Sequence, residues 1–175
     1  MIRLSDDIIQ LRAVEPSDID LLVRWENDPS FWDVSDRVTP LSRDILERYI
    51  EQSHLDLFQA GQFRYIITRK GDPVGTIDLF DLHAVHRRVG IGILIAETDD
   101  RRQGIAQRAL SLVTDYCFHG LNLHSIYCHI RSSNEASIRL FEKVGFERMG
   151  ELKDWIHTSE GFGNVLIYQR LRKHA

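Results

Sequence analysis

Residues Arg88 to Phe118 read RVGIGILIAETDDRRQGIAQRALSLVTDYCF, and this stretch decides the fold. It opens with an apolar, β-branched run from Val89 to Ala96, which is typical of a buried strand. A polar turn follows at 97–100, and from Ile105 onward apolar residues recur at the spacing of a helix. The stretch therefore predicts a strand, a basic loop containing Gly104, and a helix.

The loop before this helix, Arg101-Arg102-Gln103-Gly104-Ile105-Ala106, has the features of an anion site. The first amides of a helix have no backbone partners and carry partial positive charge, so they can bind a phosphate. Gly104 lets a ligand approach the backbone, and Arg101 and Arg102 add positive charge. These residues alone leave open an ordinary strand-to-helix turn with solvated arginines.

The composition limits the class of protein. A chain of 175 residues suits a single domain, 1–175, with a full core. The net charge of −4 argues against a nucleic-acid partner and is compatible with a cationic substrate. Cys117 and Cys128 lie in apolar patterns and are expected to be reduced. Asp6 and Asp7 interrupt the start, so we expect no signal peptide, no membrane partner and a cytoplasmic protein, with a homo-oligomer left open.

Patterns along the whole chain predict an α/β fold, with a mixed, twisted sheet and helices on both faces. The predicted strands are Ile2–Val14, Phe63–Thr68, Val74–Asp81, Val89–Ala96, Ser125–Ile130, Phe146–Ile156 and Asn164–Leu171. The predicted helices are Pro16–Glu26, Arg43–Ala60, Ile105–Gly120 and Glu135–Val144. A hairpin turn is predicted at Lys70–Pro73 and another turn at Ser159–Gly163.

A second block, Asn134-Glu135-Ala136-Ser137-Ile138-Arg139-Leu140-Phe141-Glu142-Lys143-Val144-Gly145-Phe146, follows the predicted fifth strand. Together the two blocks resemble the GNAT superfamily of acetyl-CoA-dependent N-acetyltransferases. The spacing Arg101-x-x-Gly104-x-Ala106 is similar to the family's pyrophosphate signature, [Q/R]-x-x-G-x-[G/A], and the second block to its second coenzyme A segment. The resemblance implies the GNAT (acyl-CoA N-acyltransferase) fold, in which the fourth and fifth strands splay apart to admit acetyl-CoA as co-substrate.

The resemblance also implies which residues hold the cofactor. Loop amides at 101–106 would take the pyrophosphate, and the pantetheine arm would pair with the fourth strand. Asn134 matches an asparagine that contacts this arm, although an ordinary helix cap explains it equally well. The implied cofactor-binding residues are Ile93, Leu94, Ile95, Arg101, Arg102, Gln103, Gly104, Ile105, Ala106, Asn134 and Phe141.

Acetyl transfer to an amine requires a deprotonated amine and a stabilised oxyanion and leaving thiolate, but no protein nucleophile. Many family members have a tyrosine as general acid where this chain has Phe141, and a glutamate where it has Gly90. Both customary groups are missing, so the catalytic residues stay unassigned. The replacements that the sequence offers are His83, His86, His129 and Tyr127, each of them more often structural than catalytic. His83 and His86 have no third ligand at metal spacing, so no metal is expected.

Candidates for binding the acceptor are acidic and aromatic residues. An ammonium is recognised by carboxylates, and a long alkyl chain by aromatic walls. By position the candidates are Trp32, Asp33, Asp36, Asp81 and Trp155. A solvated acidic loop with tryptophans in the core is the alternative.

The segments Val85-His86-Arg87-Arg88 and Leu121-Asn122-Leu123 resemble the spermidine (diamine) acetyltransferases and their protein-acetylating relatives. This resemblance implies an acetyl-CoA-dependent N-acetyltransferase that acts on a primary amine, with a polyamine-like acceptor favoured. One alternative is acetylation of a protein N-terminus, as in the ribosomal-protein type. The other is a non-catalytic acyl-CoA sensor, which the missing hydroxyl at Phe141 favours.

Overall fold

The computed structural model describes residues 3–32, 39–53, 55–97, 101 and 103–173. The strands are β1 (Ile9–Ala13), β2 (Phe63–Arg69), β3 (Asp72–His83), β4 (Arg88–Ile95), β5 (Ser125–Arg131), β6 (Glu147–Thr158) and β7 (Gly161–Leu171). The helices are α1 (Ile19–Glu26), α2 (Arg43–Gln52), α3 (Leu57–Ala60), α4 (Ile105–Asp115) and α5 (Glu135–Lys143). Short 3₁₀ turns lie at Pro16–Asp18 and Pro29–Phe31, and α4 continues into a wider π turn at Tyr116–Gly120.

All seven strands form one sheet in the order β1-β2-β3-β4-β5-β7-β6. Every neighbouring pair is antiparallel except β4 and β5, which are parallel. Parallel neighbours need a crossover between them, and α4 supplies it. The predicted mixed sheet is therefore confirmed.

Helices cover both faces of the sheet, as predicted. Successive residues of β2 point to opposite faces, so Ile66 packs in a core with α1 and α2, whereas Ile67 packs in the larger core with α4 and α5. Both isoleucines have no solvent exposure. None of the described helices is long and apolar enough to cross a membrane.

Strands β4 and β5 pair over a short length and then separate. The paired residues are Arg88 with Ser125, Val89 with Ile126 and Gly90 with Tyr127. Beyond them β5 keeps β7 as its other neighbour and β4 keeps β3, so a cleft opens between the two parallel strands. Among the described residues, the β5-side edge of β4 has no strand partner past Gly90, which leaves backbone groups free for an added extended chain.

Several predicted boundaries are wrong for identifiable reasons. The first strand begins at Ile9 rather than Ile2, because Asp6 accepts the amides of Ile8 and Ile9 and turns the chain. The predicted helix 43–60 is two helices, because Asp56 caps a new helix by accepting the amide of Gln59.

The predicted turn at Ser159–Gly163 is shorter than expected. Strand β7 already begins at Gly161, so only Ser159 and Glu160 form the turn. At Lys70–Pro73 a hairpin is confirmed, although β3 begins at Asp72 and the turn consists of Lys70 and Gly71.

Candidate active site

The opening between β4 and β5 is a cleft with a cavity of about 160 Å³. Its walls combine apolar side chains from both strands with residues of α5, β6 and β7. They are Ile91, Gly92, Ile93, Cys128, His129, Ile130, Arg131, Asn134, Ser137, Phe141, Trp155, Ile156 and Val165. Of the predicted cofactor residues, the structure thus brings Ile93, Asn134 and Phe141 together at one cavity.

The basic loop leads into α4 through Gly104, the N-terminal cap of the helix. Its φ of +78° lies in the left-handed region, which glycine adopts without strain. A Cβ placed there would meet nothing within 4 Å, so the backbone is open to a close-lying ligand. Glycine has no side chain that could cap the first turn, and the first amides of α4 have no intrahelical acceptor. The geometry fits an anion held by backbone amides.

Arg101 has a structural role that the sequence did not indicate. Its Nε donates to the carbonyl of Ile95 at 3.1 Å, and its guanidinium lies 5.5 Å from the centre of the Phe31 ring. The side chain therefore ties the loop to the end of β4. Arg102 lies outside the described residues. Arg108, further along, pairs with Asp6 and Asp7 and so anchors α4 to the start of the chain.

Asn134 is a helix cap that also lines the cleft, and its contact with the pantetheine arm stays a prediction. Its side-chain oxygen accepts the amide of Ser137 at 3.1 Å, which makes it the N-terminal cap of α5. The same residue lines the cleft in which the pantetheine arm is predicted. The cap fixes the direction of the side chain, so the two roles are compatible.

Phe141 is a buried wall of the cleft. It is 3% exposed, and its ring packs edge to face against Phe146 with centroids 5.0 Å apart. Phenylalanine has no proton to donate, so a general acid is missing at this position. Cys128 does not supply one either: burial raises the pKa of its thiol to about 12, which keeps it protonated and poorly nucleophilic.

The ring of Phe80, which lies directly opposite Gly90 on β3, fills the space above this glycine. A Cβ on Gly90 would stand 2.2 Å from the Phe80 ring, far inside van der Waals contact. The aromatic ring therefore occupies the space in which a β4 carboxylate would begin. The role of Phe80 was not predicted from the sequence, because it depends on the pairing of Phe80 with Gly90 across two strands.

We expect Gly90→Ala to lower the free energy of unfolding by about 1–3 kcal/mol, the usual cost of overpacking a core. The matched control is Gly92→Ala, because a Cβ there would lie at an ordinary 3.8 Å from the same ring. Urea denaturation measures both, and Phe80→Ala in the Gly90→Ala background should restore part of the loss. Equal stability of the two alanine variants would contradict the packing argument.

Asp81 meets Tyr127 where β4 and β5 part. The Tyr127 hydroxyl donates to the Asp81 carboxylate at 3.3 Å, and its ring packs edge to face on Phe80 at 6.1 Å. His129, two residues further along β5, lies 5.8 Å from the Tyr127 ring and lines the cleft. Burial and the adjacent Asp81 raise the pKa of Tyr127. Phe80, Asp81 and Tyr127 form a group that we call the junction cluster.

The remaining acceptor candidates are spread over several parts of the molecule. Trp155 lines the cleft and is 63% exposed. Trp32 lies outside the lining of the cleft, and its indole donates to the carbonyl of Glu26 at 3.2 Å. Asp33 and Asp36 fall outside the described residues, so their assignment stays a prediction.

The two remaining histidine candidates lie apart from the cleft lining. His83 and His86 stack at 4.3 Å in the hairpin between β3 and β4. His83 accepts the amide of His86, so the pair shapes this turn.

Comparison with known proteins agrees with this geometry. Residues 9–147 match the family described as the acetyltransferase (GNAT) domain. Spermidine N(1)-acetyltransferase of Escherichia coli K12 is 28% identical over 164 residues, which cover 90% of this chain and 83% of that protein.

Solved structures also superpose on this chain. Spermidine N-acetyltransferase from Vibrio cholerae in complex with CoA and spermine has a TM-score of 0.86 at 23% identity, covering 95% of this chain and 96% of that one. The dodecameric form of the Vibrio cholerae enzyme in an intermediate state gives a TM-score of 0.79 at 23% identity, covering 95% of each chain. At this level of identity the structures show a shared fold.

The fold and the family match define the class of the protein: the chain belongs to the GNAT acetyltransferases. It is an N-acetyltransferase that uses acetyl-CoA, as the resemblance implied. The predicted GNAT fold and the similarity to the spermidine acetyltransferase branch are likewise confirmed.

Proposed function

We propose that this enzyme transfers acetyl from acetyl-CoA to a primary amine of a polyamine, with spermidine as the first acceptor to test. The observation that carries the proposal is the position of Asp81, an exposed carboxylate at the junction of β4 and β5, where the cleft between these strands begins. An ammonium group that approaches this junction meets a negative charge. The similarity to spermidine acetyltransferases over 90% of the chain supports the same acceptor.

For the cofactor, we assign the diphosphate to the amides that follow Gly104 and the pantetheine arm to the free edge of β4 at Ile93–Ile95. The arm would then cross the cleft between β4 and the cap residue Asn134. An extended chain added to a free strand edge is held by backbone hydrogen bonds, and this edge offers them. When bound, acetyl-CoA supplies an activated acyl group, so the protein has to orient the two reactants and handle protons.

The acceptor side favours a cation. The chain carries a net charge of −4, and Trp155 adds an exposed aromatic surface at the cleft that can pack on an alkyl chain or attract an ammonium. Half-buried Asp78 lies on the same face of β3 as Phe80, but Arg64 pairs with Asp78 and with Glu26 and compensates both charges. Asp81, with the predicted Asp33 and Asp36, would therefore provide the attraction.

A panel of acceptors tests the proposal on the wild-type protein. We expect spermidine and putrescine to be acetylated with a higher kcat/KM than butylamine, which has the same reacting amine as putrescine but no second ammonium. Hydrogen bonds to charged groups are worth about 1.5–3 kcal/mol, so the second ammonium should give roughly a tenfold advantage or more. Thiol release from acetyl-CoA measures each rate.

Peptides with N-terminal Ala, Ser or Met complete the panel. Efficient acetylation of peptides with inert polyamines would replace the proposal by protein N-terminal acetylation. Tight acetyl-CoA binding without turnover of any amine would contradict the proposal and favour an acyl-CoA sensor.

Two further properties belong to this proposal. Both cysteines are free and buried, which is typical of a reducing compartment and supports a cytoplasmic location. A homo-oligomer is supported by the dodecameric relative and by Met149 and Phe162, which are 53% and 69% exposed on the β6–β7 hairpin. A single domain over 1–175 stays a prediction.

A further inference from the structure

We propose that the junction cluster is the proton-accepting path of the enzyme, in which Tyr127 and Asp81 replace the β4 carboxylate that Phe80 excludes. This inference rests on the proposed amine acetylation and adds to it a route for the proton. Phe80 fills the space over Gly90, and the next residue in the sequence, Asp81, carries a carboxylate. The carboxylate that many family members carry on β4 is thus absent here, and a carboxylate stands near the end of β3 instead.

The position of Tyr127 supports this role. It pairs with Gly90 in the last step before β4 and β5 separate. The phosphate-binding loop lies beyond the opposite end of β4, so an arm that runs back along the strand brings its reactive end toward this junction. From Ile95 to Gly90 a strand covers roughly 17 Å at about 3.3 Å per residue, a distance suited to an extended arm.

The backbone at Asp81 is held in an unusual conformation. Its φ is +50°, in the left-handed region, at the point where the β3–β4 register shifts between Phe80 and His83. Among non-glycine residues, aspartate and asparagine adopt this region most readily, so Asp81 can keep this conformation where the register shifts. Here the conformation places the carboxylate 3.3 Å from the Tyr127 hydroxyl while Asp81 remains exposed. Exposure allows the proton to leave to solvent.

The hydrogen-bond directions give Tyr127 a defined part. Burial, and then the neighbouring Asp81, raise the pKa of Tyr127, so the phenol stays protonated and donates to the carboxylate. Its oxygen keeps the capacity to accept a hydrogen bond from an incoming ammonium. Arg88 opposes the rise in the pKa of Tyr127, and His129 faces its ring from β5.

One proton moves from the substrate ammonium to the Tyr127 oxygen while the phenolic proton moves to Asp81, which then loses it to water. The neutral amine nitrogen forms the new C–N bond, and the C–S bond of the thioester breaks. A second proton, lost from the same nitrogen as the C–N bond forms, neutralises the departing thiolate. The sum is one amide, one thiol and one proton released to solvent.

Two variants test the path from its two ends. Asp81→Asn removes the charge with a residue that tolerates positive φ, and Tyr127→Phe removes the hydroxyl while keeping the ring that packs on Phe80. With the best amine of the acceptor panel, each should lower kcat at pH 7 by about a hundredfold, the lower range for acid–base catalysis. The deficit should shrink toward about pH 10, because a larger share of an ordinary amine is then already neutral.

The controls separate this path from a loss of structure. Tyr65→Phe is the matched control, since Tyr65 lies in the core beside Tyr116 at a ring distance of 6.4 Å. Acetyl-CoA affinity by calorimetry and the melting temperature should stay unchanged in both test variants. A His129→Gln background should preserve the pH-dependent difference, which excludes the imidazole as its source.

The outcomes distinguish a failure of the proton path from a failure of the proposed acceptor. A wild-type kcat at pH 7 in both variants, or a kcat deficit that is equal at every pH, would overturn the proton path, whereas the proposed acceptor is judged by the kcat/KM values of the acceptor panel. Inert polyamines with active peptides would overturn the acceptor alone, because the path is then measured on peptides. An unfolded Asp81→Asn leaves Tyr127→Phe as the deciding variant. A wild type inactive with every amine would overturn both.

Discussion

Replacing Gly104 by valine should weaken acetyl-CoA binding by about a hundredfold or more. Removing a few charge-assisted hydrogen bonds to a phosphate costs about 1.5–3 kcal/mol each, and every 1.4 kcal/mol is tenfold in affinity. A branched side chain at a φ of +78° also pushes the cap out of its left-handed conformation, which redirects the amides of α4. Calorimetric titration with coenzyme A measures the loss.

Gly61 provides the matched control for this substitution. It caps the end of α3 at a φ of +71°, and a Cβ there also meets nothing within 4 Å. Gly61→Val should therefore cost a similar amount of folding free energy through the same backbone strain, with coenzyme A affinity unchanged. Unchanged affinity in a folded Gly104→Val protein would contradict the assignment of the diphosphate to this loop.

Replacing Phe141 by tyrosine should raise kcat by about tenfold or more. A well-positioned general acid typically contributes about a hundredfold, and an introduced hydroxyl should recover part of that factor. Phe141 lines the cleft, so a hydroxyl at the ring edge can be directed at a departing thiolate without disturbing the wall. An ordinary tyrosine has a pKa near 10, so the gain should be present at neutral pH and lost as pH rises above about 10. Steady-state kinetics with both substrates saturating gives the rate.

Phe146→Tyr is the control for this prediction. Phe146 is the edge-to-face partner of Phe141 and is 2% exposed, but it is outside the lining of the cleft. Its new hydroxyl would be buried without a partner, so we expect a loss of about 1–3 kcal/mol in stability and no gain in rate. A folded Phe141→Tyr protein with unchanged turnover would show that position 141 is remote from the thioester sulfur.

The sequence predicted the parts of this protein that depend on local pattern. The apolar run before Glu97, the glycine at 104 and the helical spacing after it gave the strand, loop and helix in their correct order. These features are local because a strand face, a glycine cap and an amphipathic helix are each encoded within about fifteen residues. Boundaries failed where a side chain redirected the backbone, as Asp56 does by starting a second helix after 52.

Only the tertiary structure determined which side chains meet where β4 and β5 part. Gly90 looked like a missing carboxylate in the sequence, whereas the sheet shows that Phe80 occupies its place. Asp81 and Tyr127 are 46 residues apart in the chain, and their contact exists only because β3, β4 and β5 are neighbours in the sheet. The order of strands and the point at which two of them part arise from packing across the whole core, so no local pattern contains them.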